Sequence, residues 1–247
     1  MKLHLFKNRK NKIRISISYY TALGQRAENE DSICVLEGRF GTLALLADGL
    51  GGHRNGKEAS AMAIRTLNEF FFDRDVSERE MPEAFRLAHE RIKAAQDGGN
   101  NMKTTLSALF LSGGEAIASH VGDSRIYQFR NGEILYQSLD HSVAQLAVMA
   151  GEISKSELRS HPDRHILIRA LGSDKMPKVS TNILPYTAGD RFLICSDGFW
   201  EPLSEELMLN LSAANEKTED WLREMRWIAE KNAADNHSAI AITILDC

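Results

Sequence analysis

Apolar residues in this chain come in short runs: "RISISYY", "SICVL", "TLALLA", "TLSALFL", "AIASHV", "RIYQF", "RFLICS" and "SAIAITIL". Each spans about five to eight residues and many are rich in β-branched side chains, so they predict strands. Asn131-Gly132 stands between two such runs, the strongest short-range hairpin signal, so Arg125–Arg130 is expected to pair with Glu133–Gln137. Two longer patterns are helical. From Glu58 onward, Ala59, Met62, Ala63, Thr66, Leu67, Phe70 and Phe71 share one face. From Pro82, Phe85, Ala88, His89, Ile92 and Ala95 repeat that spacing until Gly98-Gly99 ends it. Trp221, Leu222, Met225, Ile228 and Ala229 mark a third helix, a core-packing stripe ahead of the last strand. Ser154 to Glu157 reads as a capping box for a short helix. Hairpin-like strands with helices clustered between them predict an α+β fold of packed layers rather than a βαβ winding. No internal repeat or low-complexity linker divides the chain, so residues 15–247 are read as one domain.

Composition changes this picture little. The chain has 247 residues, 43% hydrophobic and 26% charged, with a net charge of −4, which suits a globular domain with a sizeable core. Nothing global calls for nucleic acid or an anionic membrane. Lys2, Lys7, Arg9, Lys10, Lys12 and Arg14 make residues 1–14 a basic arm, read first as a solvated terminus. Cys34, Cys195 and Cys247 are widely spaced, and two lie inside apolar runs, as free thiols do in a reducing compartment. No apolar stretch reaches the roughly 18 to 20 residues of a membrane span. The start has basic residues without an apolar core and is not read as a secretory signal. The expectation is a cytoplasmic monomer.

The chemistry lies in the acids. "NED" (Asn29, Glu30, Asp31), "ADG" (Asp48-Gly49), "GDSR" (Gly122 to Arg125), "CSDG" (Asp197-Gly198) and "ADN" (Asp235-Asn236) each put a carboxylate at a strand end or in a tight turn. One Asp-Gly is an everyday turn. Five such places meeting at one sheet edge would form an all-oxygen cluster too negative to stand without cations. Oxygen ligands without thiolates favour Mg²⁺ or Mn²⁺. Asp48 could bridge two ions and Gly49 offer its carbonyl, and two such ions generate a hydroxide nucleophile from water. The commonest use is hydrolysis of a phosphate ester, with Arg26 as the fork that holds the phosphoryl oxygens.

With these motifs in this order, the sequence resembles the metal-dependent protein phosphatases of type 2C, the PPM family, in their short bacterial form. The likeness runs from about Ile15 to Leu245 through "GQRAENEDS", "ADGLGGHRNGKEAS", "TTLSALF", "VGDSRIYQF", "LDHSVAQL", "HILIRALG", "RFLICSDGFWE" and "ADNHSAIAI". It implies a four-layer α-β-β-α sandwich, two antiparallel sheets flanked by helices. It also implies that Asp48, Asp197 and Asp235 hold two ions, with Asp48 bridging and Gly49 giving its carbonyl. Glu30 and Asp31 would position metal-bound waters, Arg26 would bind substrate phosphate, and Asp123 would help Asp197 hold a third, looser ion. Asn236 would support the ligands from behind. His53 is either a further such support or simply structural. Residues from about 150 to 171 would be a flap beside the cleft.

The chain also departs from the family pattern. Lys103-Thr104-Thr105 stands where Gly-Thr-Thr is usual, so Lys103 either crowds a tight turn or places a cation near the cleft. His237-Ser238 replaces x-Thr after Asp235-Asn236. Leu50 stands where relatives carry Met, or a His proposed as general acid. "HPDRH" (His161 to His165) offers no cysteine partners and is read as a loop rather than a zinc site. The expected function is a serine/threonine protein phosphatase that acts by direct attack of a metal-bridging hydroxide and reverses a cognate kinase on phosphorylated proteins. The alternative is a catalytically weak phosphoprotein-binding module of the same fold, for which Lys103 is the one feature. A third reading is an enzyme narrowed to one partner.

Overall fold

The computed structural model describes residues 13–50, 55–72, 74–96, 101–232 and 234–246. In chain order the elements are β1 (Arg14–Ala22), β2 (Ser32–Glu37), β3 (Thr42–Ala47), β4 (Gly49–Leu50), α1 (Asn55–Phe71), α2 (Met81–Ala95), β5 (Lys103–Thr104), β6 (Leu106–Ser112), β7 (Glu115–Val121), β8 (Arg125–Arg130), β9 (Glu133–Gln137) and α3 (Val143–Ala150). A 3-10 turn (Leu158–Ser160) precedes β10 (Ser180–Pro185), β11 (Arg191–Cys195), α4 (Asp197–Trp200), α5 (Glu205–Ala214), α6 (Thr218–Asn232) and β12 (His237–Asp246). One antiparallel sheet has the order β1-β12-β11-β8-β9 and the other β10-β7-β6-β3-β2, while β4 and β5 form a short ladder of their own. The Asn131-Gly132 hairpin pairs β8 with β9 as expected, and Asn131 takes a positive φ of 50°.

The two sheets face each other, and helices cover both outer faces. Alternation along the central strands sorts side chains between three cores. In β3, Ala44 and Leu46 point into the inter-sheet core, while Leu43, Leu45 and Ala47 point outward to α1 and α2. In β12, Ile240, Ile242 and Ile244 fill the space between the sheets. Ala239 and Ala241 face α6, whose Trp221, Leu222, Met225 and Ala229 pack down as the predicted stripe. Small residues on the outer face let the helix approach the sheet, and the branched ones fill the wider inter-sheet gap. This is the expected four-layer α-β-β-α sandwich.

Several details differ from the sequence expectation. α1 starts at Asn55, ahead of Glu58. α2 ends at Ala95 because Gln96 turns to ψ 124°, and Gly98-Gly99 lie outside the described residues. Most of the basic arm lies outside them too, but Arg14 already belongs to β1 and pairs with Asp246 at 3.6 Å. Ser154 to Glu157 makes half of a capping box. The Glu157 carboxylate accepts from the Ser154 N–H at 2.8 Å, but also from its hydroxyl at 2.6 Å. That hydroxyl faces the carboxylate instead of an amide, and a 3-10 turn follows rather than a helix. β10, α3 and α5 carry no element in the sequence reading. Among the described residues no helix is long and apolar enough to cross a membrane.

Candidate active site

Antiparallel pairing brings the acid-bearing strand ends to one edge of the sandwich. Asp48 follows β3, whose Ala47 pairs with Ser32 at the start of β2, next to Glu30 and Asp31. Cys195 at the end of β11 pairs with Arg125 at the start of β8 and with Ala239 near the start of β12. Asp197, Asp123 and Asp235 therefore sit beside the same edge. Ala22 of β1 pairs with His237, which brings the Arg26 loop there as well. Arg26, Glu30, Asp48, Gly49, Asp123, Asp197, Asp235 and Asn236 line one open cleft of ≈ 1220 Å³. Asp31 lies beneath the cleft rather than on its wall, and His53 lies outside the described residues.

Each acid is held by its own local chemistry. The Asp48 N–H donates to Thr105 Oγ1 at 2.9 Å, and its carbonyl accepts from Thr105 N–H and Thr104 Oγ1, both at 2.8 Å. Asp197 opens α4 and accepts from Gly198 N–H at 2.6 Å, while Asp235 accepts from Asn236 N–H at 2.8 Å. Asn236 pins the opposite loop. Its Oδ1 accepts from Glu30 N–H at 2.9 Å, and its Nδ2 donates to the carbonyls of Leu23 and Glu28 at 2.8 and 3.0 Å. These three hydrogen bonds tie the loop that carries Arg26 and Glu30 to the turn that carries Asp235. Gly49 owes its place to packing: a Cβ there would sit 2.2 Å from the Gly56 carbonyl oxygen. The glycine lets the start of α1 close on the strand end.

The electrostatics are those of crowded anions. Burial first, then the charges of Asp31, Asp197, Asp123 and Asp235, push the Asp48 carboxyl well above the ordinary carboxylate range. Burial, Asp197 and Asp140 do the same to Asp123. Asp31 is pushed up to about 7 by burial, against hydrogen bonds from Ser238 and Ser196. Its Oδ2 accepts from Ser196 Oγ at 2.9 Å, and its Oδ1 is buried without a partner among the described residues. Glu30 is raised by burial and by Glu28. Against this charge stands Arg26, whose Nη2 lies 2.6 Å from Asp235 Oδ2. An all-oxygen donor set, an orphaned buried carboxylate oxygen and shared repulsion are what residues fitted to hard divalent cations show.

The segment expected as a flap borders this cleft through residues that carry no chemistry in the sequence reading. Arg159 donates to the carbonyl of Trp200 and to Glu205 Oε1 at 2.7 Å, and Arg164 Nε to Glu201 Oε1 at 2.9 Å. His165 Nδ1 lies 3.5 Å from Asp197 Oδ2 and 3.6 Å from Glu201 Oε1, and its contact with Asp197 raises its pKa. Only Glu201 had a sequence signal, one helical turn after Asp197; the others stand in irregular chain without periodicity. His161 Nδ1 accepts from Asp163 N–H at 3.2 Å within this irregular segment. Leu50 lines the cleft. Lys103 pairs with Leu50 in extended β5, and among the described non-glycine residues only Asn131 has a positive φ. Lys103 therefore occupies no backbone that needs glycine, and it is not among the residues lining the cleft.

Known proteins share this sequence pattern and this fold. The sequence profile described as "Protein phosphatase 2C" matches residues 21–238. The serine/threonine phosphatase stp of Listeria welshimeri is 32% identical over 216 residues, 83% of this chain and 82% of its own. The serine/threonine protein phosphatase PstP of Mycobacterium tuberculosis is 32% identical over 226 residues, and there this chain spans 43% of the relative's length. The crystal structure of the PstP catalytic domain in complex with two manganese ions superposes with a TM-score of 0.81 at 29% identity. It covers 95% of this chain and 99% of that one. With fold and acid-bearing strand ends on one edge, a profile matched over most of its length, and relatives at this identity, the chain belongs to the protein phosphatase 2C family.

Proposed function

We propose that this chain is a metal-dependent serine/threonine protein phosphatase. The observation that carries the reading is the convergence of Asp48, Asp123, Asp197 and Asp235 with Glu30 and Arg26 on one cleft. Asp48, Asp197 and Asp235 would hold two Mn²⁺ or Mg²⁺ ions with the Gly49 carbonyl, and Asp123 would help hold a third. Such ions, when bound, supply Lewis acidity and an activated water for hydrolysis of a phosphate ester. Glu30 orients water in the cleft, and Asp31 acts from beneath through Ser196 on the turn that carries Asp197. Arg26 is tied to Asp235. Its planar fork, exposed on the cleft wall, would grip two phosphoryl oxygens of the substrate. Leu50 on the cleft wall has no proton to give, so the leaving serine or threonine oxygen takes one from water. Arg159, Arg164 and His165 anchor the bordering segment to Trp200, Glu201 and Asp197 and so form part of the cleft entrance. The substrates would be proteins phosphorylated by a serine/threonine kinase.

Hydrolysis of p-nitrophenyl phosphate and a phosphothreonine peptide, with Mn²⁺, with Mg²⁺ and with EDTA, tests this beside Asp197→Asn. Turnover that needs the cation and disappears in the variant is expected. Undiminished turnover in EDTA or in Asp197→Asn would overturn the reading. Binding of the phosphopeptide without turnover by folded, Mn²⁺-loaded protein would identify a binding module instead.

A further inference from the structure

His141 makes contacts on every side of the segment between β9 and α3. Its N–H donates to the Gly122 carbonyl at 2.9 Å, and its own carbonyl accepts from Ile168 N–H at 2.9 Å. The buried ring stacks on His120 with centroids 4.6 Å apart and planes 13° from parallel. Gly122 N–H points at its Nδ1 at 3.2 Å, while Nε2 lies 2.9 Å from Ser180 Oγ and 3.0 Å from Arg169 Nη1. A backbone amide and a guanidinium can only donate, and a neutral imidazole has one accepting nitrogen. His141 can therefore accept from Gly122 or from Arg169, not from both. Burial, with the His120 ring and Arg169 nearby, keeps it neutral. With Nδ1 accepting from Gly122, the proton sits on Nε2 and is donated to Ser180. Arg169 must then give its hydrogen bond elsewhere, and the Lys178 carbonyl at 3.4 Å is within its reach.

Gly122 is where this choice reaches the cleft. Its φ is +110°, and a Cβ would stand 2.5 Å from Thr105 Cγ2, so its turn is wedged between His141 and Thr105. Thr105 holds the Asp48 N–H, and the residue after Gly122 is Asp123. We propose that His141 is a positioning residue that sets the Asp123 turn by engaging both the N–H and the carbonyl of Gly122, and that Arg169, from the segment bordering the cleft, competes for the same ring. The placement of Asp123 is thereby coupled to that segment. This rests on the reading of Asp123 as a cation-holding residue.

Two substitutions separate the halves of the ring. His141→Asn keeps an acceptor near the Nδ1 position and loses the reach to Ser180 and Arg169. His141→Gln keeps that reach and leaves Gly122 N–H unpaired. Mn²⁺ binding to the full chain, followed by isothermal titration calorimetry, is compared with Asp123→Asn as the reference. His141→Gln should weaken the binding step that Asp123→Asn removes by about tenfold, and His141→Asn should largely preserve it. Arg169→Ala should bind at least as tightly as wild type. Nitrogen-15 spectra of the wild-type histidine rings should show His141 neutral with its proton on Nε2, a readout that needs no variant to fold. A proton on Nδ1, equal losses in Asn and Gln, or weakening by Arg169→Ala would overturn the proposal. An effect of Asp123→Asn with none of His141→Gln would also sink it while leaving Asp123 in place. Unchanged binding in Asp123→Asn would instead remove the reading of Asp123 and the proposal with it.

Discussion

Asp31 is, with Asp48 and Asp123, one of the buried acids whose charge the fold resists, and replacing it by Asn is a sharp test of the site's electrostatics. The amide is isosteric and still offers an oxygen to Ser196 Oγ, so packing is kept while the charge is removed. In the fold the carboxyl is pushed from its ordinary 3.8 up to about 7. A raised carboxyl contributes stability that is full below the unfolded-state value and is lost as pH rises through the folded-state value. At about 1.36 kcal/mol per pH unit, keeping Asp31 ionised at pH 8 costs the fold at most roughly 4 kcal/mol. The ceiling is not reached in full, because Asp48, Asp197 and Asp235 share the repulsion. In EDTA at pH 8, Asp31→Asn should therefore melt above wild type, by up to roughly 8 to 16 °C for a chain of this size. At pH 5 the gap should fall below half, since the wild-type carboxyl is then protonated in the fold. Saturating Mn²⁺ should close or reverse it, because the cations take up the charge in wild type. Scanning calorimetry at the two pH values, with EDTA and with Mn²⁺, makes the measurement. A difference of the same size at both pH values, or a destabilised variant at pH 8 in EDTA, would refute the reasoning.

Two further expectations follow from particular contacts. Arg125 is buried, donates to Asp140 from Nε and Nη2 at 2.8 and 2.7 Å, and stacks over Trp200 at 3.4 Å. Asp140→Ala strands that guanidinium and should destabilise the fold by about 3 to 5 kcal/mol in urea unfolding; a loss under about 1 kcal/mol would show that the pair is not needed. Arg26→Ala should raise KM for a phosphothreonine peptide with a smaller effect on kcat, because an exposed fork on the cleft wall contributes mainly to substrate binding. An unchanged KM would take Arg26 out of the substrate site.

How far the sequence could be read depended on how local each feature is. The eight apolar runs became strands, since apolar runs of five to eight residues bounded by turn residues are too short for most helices and suit buried strands. β10 escaped because it is an edge strand with exposed Asn182, Ile183 and Pro185, and so lacks an apolar run. α3 escaped because Val143–Ala150 is apolar on several sides, with Leu146 and Met149 exposed, so no single face stands out. In the cleft, Asp48, Asp123, Asp197 and Asp235 announced themselves as acids in turns at strand ends. Asp31 was grouped with them by its neighbours, and only the packing puts it under the cleft.

By itself, then, the chain's pattern determined which segments would be strands, which helices would carry an apolar face, and which carboxylates could not be ordinary surface charges. Those are consequences of period, turn chemistry and desolvation, all written within a few residues of one another. Tertiary structure decided the rest. Asn236 reaches back to Leu23, Glu28 and Glu30 across more than two hundred positions, and Asp31 meets Ser196 across 165. Arg159, Arg164 and His165 find Glu205, Glu201 and Asp197 only because irregular chain folds over α4. His141 closes on Gly122 for the same reason. A contact between distant residues leaves no periodic trace in sequence, because its energy depends on where the sheets bring the two ends together.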